Sequence, residues 1–162
     1  MNLIIPMAGY GTRLRPHTLT IPKPLLPIAG KPIVQHLIEI LSKTSKTRFN
    51  EIGFIIGHFG EKVEEQLKDI ARNVGATPKI YYQEKALGTA HAIYCAEPSL
   101  YDSVCVAFAD TLFIEDNEFD FNSEGCIWVK KVENPESFGV VTLDNDGFIN
   151  NFVEKPKQFV SD

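Results

Sequence analysis

The residues best suited to chemistry gather early in the chain. Gly9 and Gly11 lie in a stretch with little side-chain bulk, just after the hydrophobic run Leu3-Ile4-Ile5. Two cations follow, Arg13 and Lys23, in a segment stiffened by Pro16, Pro22, Pro24 and Pro27. A glycine turn lets backbone N–H groups close on an anion, and rigidly mounted cations neutralise it, so the combination suits a polyphosphate. Either cation could instead be a plain surface charge. That reading is weaker for Lys23, which has a proline on each side. Much later, Asp110 ends the apolar run that begins at Val104.

A chain of 162 residues fits one domain with a sizeable core. With 44% hydrophobic and 23% charged residues the composition is that of a soluble globular protein. The net charge of −5 argues against a nucleic-acid partner, so an anion site must be a local arrangement. Cys95, Cys105 and Cys126 are scattered with no CxxC spacing, which fits neither a disulfide framework nor a zinc site. They read as small buried hydrophobes. With no signal peptide ahead of the first strand and no apolar run long enough to span a membrane, a cytoplasmic protein without a membrane partner is expected.

The elements that must position these residues follow from periodicity. Residues 2–6 predict a short buried strand, and Lys31-Pro32 opens a helix that runs to about Lys46. Residues 51–57 predict a strand, 60–73 an amphipathic helix, and 79–83 a third strand. Gly88-Thr89 begins a small-residue helix over 90–97, with Thr89 a candidate cap, and Pro98 stops it. Residues 104–109 form a continuous apolar strand of the kind found in the buried middle of a parallel sheet. After that, 126–131, 138–143 and 148–154 read as strands without long helices between them. The last two flank the turn Asp144-Asn145-Asp146-Gly147. The expected fold class is α/β: a Rossmann-like, mostly parallel sheet with helices on both faces, plus a C-terminal β-hairpin region. Ligands in such sheets bind beyond the carboxyl ends of the strands. The Gly9–Arg13 loop, Gly57-His58, Gln83-Glu84 and Asp110 all fall there.

Gly9-Tyr10-Gly11 starts like a dinucleotide fingerprint, but position 14 is Leu14 and the next helix is delayed to Lys31. No acidic residue ends the second strand either, which disfavours a nicotinamide or flavin site. Gly30-Lys31-Pro32 lacks the glycine five positions before Gly30 that a Walker A loop needs. The longer pattern G-Y-G-T-R-L-R-P-x-T-x-x-x-P-K-P-L-L-P-I-x-x-K-P resembles the signature of the sugar-1-phosphate nucleotidylyltransferases. That family includes glucose-1-phosphate thymidylyltransferase and mannose-1-phosphate guanylyltransferase. Three further stretches match it in order: Gln83-Glu84-x-x-Leu87-Gly88-Thr89-Ala90, the strand ending in Asp110, and Asn134-Pro135-x-x-Phe138-Gly139-Val140-Val141 followed by Phe152-Val153-Glu154-Lys155-Pro156. The resemblance covers nearly the whole chain.

The resemblance implies a reaction between a nucleoside triphosphate and a sugar 1-phosphate that releases pyrophosphate. It places Ala8, Gly9, Gly11, Thr12 and Arg13 around the nucleotide, with Arg13, Lys23 and Asp110 as catalytic residues. Asp110 is the implied Mg2+ ligand, although an aspartate in that position could instead cap a turn. Gln83 corresponds to the residue that reads the base, and its amide offers a donor and an acceptor together. Gly88 and Thr89 lie beside it. His91 reads as structural or as a support behind the residues that touch the ligand, since an ionised sugar phosphate needs no base. Gly139, Glu154 and Lys155 correspond to the sugar-phosphate side. The family pattern has a glycine where this chain has Ala109.

In the resembled family the catalytic domain continues past the position of Asp162 and supplies a second metal-binding aspartate. The chain is therefore expected to be a single nucleotidyltransferase domain, incomplete at its C-terminal end. Residues 1–110 would be the nucleotide part and 124–156 the start of the sugar-phosphate part. An exposed sheet edge would leave room for a homo-oligomer. Two alternatives stay open: transfer to another phosphorylated acceptor such as phosphocholine, and a non-catalytic nucleotide-binding or regulatory relative.

Overall fold

The computed structural model describes residues 1–9, 11–19, 21–114, 124–158 and 160. By contacts the chain divides into two units, Met1–Glu124 and Gly125–Asp162.

The first unit is a parallel α/β layer structure. Its strands are β1 (Asn2–Pro6), the two-residue pair β2 (Pro27–Ile28) and β3 (Lys31–Pro32), β4 (Glu51–Ile56), β5 (Thr77–Tyr82) and β6 (Val104–Val106). Three helices connect them: α1 (Ile33–Thr44), α2 (Glu61–Asn73) and α3 (Thr89–Tyr94). The main sheet has the order β5-β4-β1-β6, and every pairing in it is parallel. Alternation along the strands sorts side chains between two cores. Leu3, Ile5, Ile52, Phe54 and Ile56 pack with Val34, Leu37 and Leu41 of α1 and Leu67 and Ile70 of α2. Ile4 and Ile55 face the other way, against Ala92 of α3 and Ala96. Each fully buried Leu, Ile or Phe contributes about 1.5–3 kcal/mol. The expected Rossmann-like architecture, with helices on both faces, is therefore present.

Three local expectations need correction. The strand at 104–109 is only Val104–Val106, and it lies at the outer position of the described sheet, beside β1. Its apolar run reflects two covered faces rather than two flanking strands: Cys105 packs into one core, Val104 and Val106 against the other. The third helix is shorter than 90–97 and is not capped by Thr89. Gly88, with φ of 96°, takes the cap position and Thr89 is already helical. An N-cap needs a non-helical backbone, and this positive φ suits glycine. The first helix starts two residues later than Lys31, because Lys31 and Pro32 pair antiparallel with Ile28 and Pro27.

The second unit is a hairpin, β7 (Gly139–Leu143) and β8 (Ile149–Glu154), with an irregular register between Thr142 and Leu143. Its turn is held by Asp144, whose Oδ1 accepts from the backbone N–H of Asp146 at 3.0 Å and of Phe148 at 2.9 Å. The strand expected at 126–131 does not form. Its apolar run from Cys126 to Val129 is present, but no strand pairs with it among the described residues. An extended segment gains its hydrogen bonds only from a neighbour.

Candidate functional site

The glycine loop leaves the carboxyl end of β1 and folds into a single 3-10 turn, Thr12–Leu14. Thr18 fastens it: its hydroxyl donates to the Gly11 carbonyl at 2.8 Å. The two glycines serve different ends. Nothing lies within 4 Å of where a Gly9 Cβ would be, so that backbone is open to a ligand. Gly11 has φ of 58°, and a Cβ there would come within 3.0 Å of the Lys23 Cβ and 3.1 Å of the Thr18 Cγ2. Gly11 is thus required by close packing of the loop against the Lys23 segment, not by room for phosphate.

Lys23 opens a second 3-10 turn, Lys23–Leu25, whose Pro24 and Leu25 are buried. This anchors the base of a side chain whose end reaches across the site. Its Nζ donates to Asp110 Oδ2 at 2.8 Å. Asp110 follows β6 in a turn, with the Thr111 hydroxyl 3.4 Å from its Oδ1. The Lys23 ammonium holds the Asp110 carboxyl below its ordinary value, against an opposing push from burial. Between these groups lies a cavity of about 400 Å³, lined by Gly9, Gly11, Thr12, Lys23, Phe108, Ala109 and Asp110 among others. Ala109 is buried and packs into the main core. Ala8 is half-buried just before the loop. Arg13 lies in the first 3-10 turn, and its side chain is outside the described residues.

A second cluster forms where β5 ends. The Gln83 amide nitrogen donates to the Gly88 carbonyl at 3.1 Å and faces His91 Nδ1 at 3.1 Å. Thr89 is exposed in the first turn of α3. Nearby, His58 Nε2 meets Glu84 Oε2 at 2.9 Å and its ring stacks on Tyr82, centroids 5.2 Å apart. Gly139, Glu154 and Lys155 belong to the second unit. Gly139 pairs with Glu154, and a Cβ at Gly139 would lie 2.9 Å from Glu154 Oε2. Lys155 Nζ is 3.6 Å from Glu154 Oε1, and both side chains are exposed.

Of the predicted residues, Gly9, Gly11, Thr12, Lys23 and Asp110 share one cavity, and Gln83 and Gly88 share another cluster. Two contributors carried no assigned role in the sequence. Thr18 appears within the proline-rich pattern, and its position there was the available signal. His91 reads from the sequence as structural or supporting, and its partner, Gln83, is seen only in the structure. Among the described residues no group of three or more His, Cys, Asp or Glu could hold a metal ion. Asp110 alone still fits Mg2+, a hard cation commonly held by one or two carboxylates together with substrate phosphates.

Comparison with known proteins identifies the family and supports the fold. The chain is 40% identical over 160 residues to the bifunctional protein GlmU of Methanococcus maripaludis, an alignment that covers 98% of this chain and 36% of that protein. It is 34% identical to the mannose-1-phosphate guanylyltransferase catalytic subunit beta of Drosophila melanogaster, over 98% of this chain and 44% of the relative. The chain therefore spans less than half the length of these curated relatives. A Bacillus anthracis structure assigned as a glucose-1-phosphate thymidylyltransferase, in complex with a sucrose, superposes with a TM-score of 0.80 at 27% identity, covering 99% of this chain and 67% of the other. The family model described as nucleotidyl transferase matches residues 3–162. From the first strand onward, the chain belongs to the nucleotidyl transferase family.

Proposed function

We propose that the protein transfers a nucleotidyl group from a nucleoside triphosphate to a sugar 1-phosphate, giving a nucleotide sugar and pyrophosphate. The observation that carries this reading is the cavity beyond β1 and β6, where an open glycine backbone faces the Lys23–Asp110 pair. The name of one relative, a mannose-1-phosphate guanylyltransferase subunit, supports the same transfer.

In this reading an oxygen of the sugar phosphate attacks the α-phosphorus. The bond from that phosphorus to the bridging oxygen breaks, and pyrophosphate leaves with the electron pair. No proton needs to be removed from the acceptor, and no covalent enzyme intermediate is needed. The work of the chain is to align two anions and to meet the charge that develops on the leaving group. The backbone at Gly9 and Gly11, together with Thr12 and Arg13, surrounds the phosphates. Lys23 exchanges its contact with Asp110 for an incoming phosphate oxygen, which frees the Asp110 carboxylate to hold Mg2+. That ion, when bound, neutralises phosphate charge. Gln83, Gly88 and Thr89 take the base side, while Gly139, Glu154 and Lys155 take the sugar phosphate. A cytoplasmic location and the absence of nucleic-acid and membrane partners complete the proposal. In its support, the net charge is −5 and no described helix is long and apolar enough to cross a membrane.

The test is pyrophosphate release with Mg2+, each nucleoside triphosphate, and either a set of sugar 1-phosphates or phosphocholine as acceptor. Release with at least one sugar 1-phosphate is expected. Release with no pair would overturn the proposal, and release only with phosphocholine would assign the other acceptor class.

A further inference from the structure

We infer that the Thr18 hydroxyl is a latch that holds the loop from Gly11 to Thr18 in its phosphate-binding shape, which makes Thr18 a positioning residue for the triphosphate. This rests on the nucleotide reading proposed above and goes beyond it, since Thr18 carries no role there.

The loop has little else to hold it. Every side chain described between Gly11 and Thr18 is exposed, so none of them anchors the stretch in the core. Its backbone bonds run from the Leu14 N–H to Gly11, from Arg15 to Thr12, from His17 to Leu14 and from Leu19 to Pro16. Each spans three residues and shapes one turn, so these bonds leave the turns free to swing against one another. Among the described residues, the bond that returns from the far end of the loop to its start is the one from the Thr18 hydroxyl to the Gly11 carbonyl, 2.8 Å long and seven residues across. Thr18 is half-buried, which limits competition from water. A loop closed beforehand loses less freedom when it meets an anion, and binding is tighter by that difference.

The latch also aims a donor. The Gly11 carbonyl accepts from both the Leu14 N–H and the Thr18 hydroxyl, which uses its two lone pairs. The C=O and N–H of one trans peptide point opposite ways, so a held Gly11 carbonyl holds the Thr12 N–H as well. Gly11, Thr12 and Leu14 all line the cavity, and the same turn carries Arg13. The Thr18 methyl has a separate task. Its Cγ2 lies 3.1 Å from where a Gly11 Cβ would be, and the Lys23 Cβ lies 3.0 Å from the same point. Methyl and lysine stem therefore close on Gly11 together, and substitution can separate the hydroxyl from the methyl.

The test is calorimetric binding of inorganic tripolyphosphate and of each nucleoside triphosphate to the full chain. Thr18→Val keeps the branched shape and loses the donor. It is expected to bind tripolyphosphate, and each triphosphate that the parent binds, about tenfold more weakly, the scale of one hydrogen bond. Thr18→Ser restores the donor and should stay within about threefold of the parent. The Asp110 carboxyl titration, followed by NMR, should not move in Thr18→Val, because the packing beside Lys23 is kept. Thr18→Ala repeats the loss of the donor should the valine variant fail to fold. An unmoved affinity in the valine or alanine variant, or a loss in the serine variant as large as in the valine one, overturns the latch and leaves the nucleotide reading in place. A shifted Asp110 titration in Thr18→Val also overturns it, since the change would then have spread to the Lys23 side. Absence of binding by every triphosphate and by tripolyphosphate in the parent overturns the nucleotide reading, and the latch with it.

Discussion

Two polar regions at opposite ends of the same sheet differ in how their polar groups are satisfied. At the carboxyl end, Lys23 and Asp110 meet above an open cavity with their side chains 32% and 51% exposed. At the amino end, Ser99 and Asn2 are almost wholly buried. There the Ser99 hydroxyl donates to Glu51 Oε2 at 2.6 Å and lies 2.7 Å from the Tyr81 hydroxyl, which donates in turn. Asn2 Nδ2 donates to the Ser99 carbonyl at 3.0 Å. The buried network is specified by its own geometry and offers little to a ligand. The open pair is held by one contact that a phosphate could replace. Polar side chains at strand ends are therefore not functional by position alone; the difference lies in whether solvent and a cavity reach them.

Removing Lys23 should produce the largest effect and touch only one side of this contrast. Lys23→Ala is expected to lower the proposed pyrophosphate release by about 10³-fold or more, the scale of cations that stabilise phosphoryl transfer. Its melting temperature should stay close to that of the parent, because an exposed ion pair contributes little to stability. A large fall in melting temperature with activity retained would reverse the contrast. Ser99→Ala should do the opposite. It leaves the Tyr81 hydroxyl and the Glu51 carboxylate short of a partner, at a cost of about 1–3 kcal/mol, with nucleotide binding unaltered. Thermal unfolding and nucleotide titration of both variants, measured side by side, check the pair.

Gly53→Ala tests how tightly the amino-end network is packed. A Cβ at this position would lie 3.0 Å from Ile4 Cδ1 and 3.3 Å from the Tyr81 ring. The ring covers Gly53 on its way to Ser99, so the added methyl must push on it. A loss of about 1 kcal/mol, at the low end for overpacking, is expected because the nearest atom ends a side chain that can shift. Denaturant unfolding that shows no loss would mean the Tyr81–Ser99 contact tolerates more play than its geometry suggests.

The periodic signals carried most of the fold. Helix-spaced Val34, Leu37 and Leu41 and the runs at 2–6 and 51–56 found their elements because local alternation reports burial directly. The lateral order of strands was not legible in the same way. The apolar run of β6 records its two covered faces and says nothing of its neighbours in the sheet, so it read as central. The site divided likewise. The glycine–proline stretch, with its turn and cations, is contiguous and could be read. Asp110, 87 residues away from Lys23, could be named but not paired with it, because that contact depends on β1 and β6 being neighbours. The reason for Gly11, the role of Thr18 and the engagement of Gln83 with His91 are facts of three-dimensional packing. Residue type and spacing alone do not give these contacts.

The smallest effect is also the most direct reading of the open pair. Lys23 holds the Asp110 carboxyl below its ordinary value. A group whose folded value is depressed adds stability above its unfolded value, and that stability is lost as pH falls through the folded one. Asp110 should therefore stay ionised into more acidic solution than a free aspartate, which a carboxyl-carbon NMR titration can follow. In Lys23→Ala the titration should move back up, since the donating ammonium is the main cause of the shift. The accompanying change in stability should be slight, because solvent screens an exposed pair and such pairs contribute at most about 1 kcal/mol. If nucleotide binding breaks the Lys23–Asp110 contact as proposed, adding a nucleoside triphosphate without metal should likewise raise the Asp110 titration toward its ordinary range. A titration that stays put on nucleotide addition would show that the pair survives binding and that Lys23 does not move to the phosphates. The open end of the sheet would then be as fixed as the buried one.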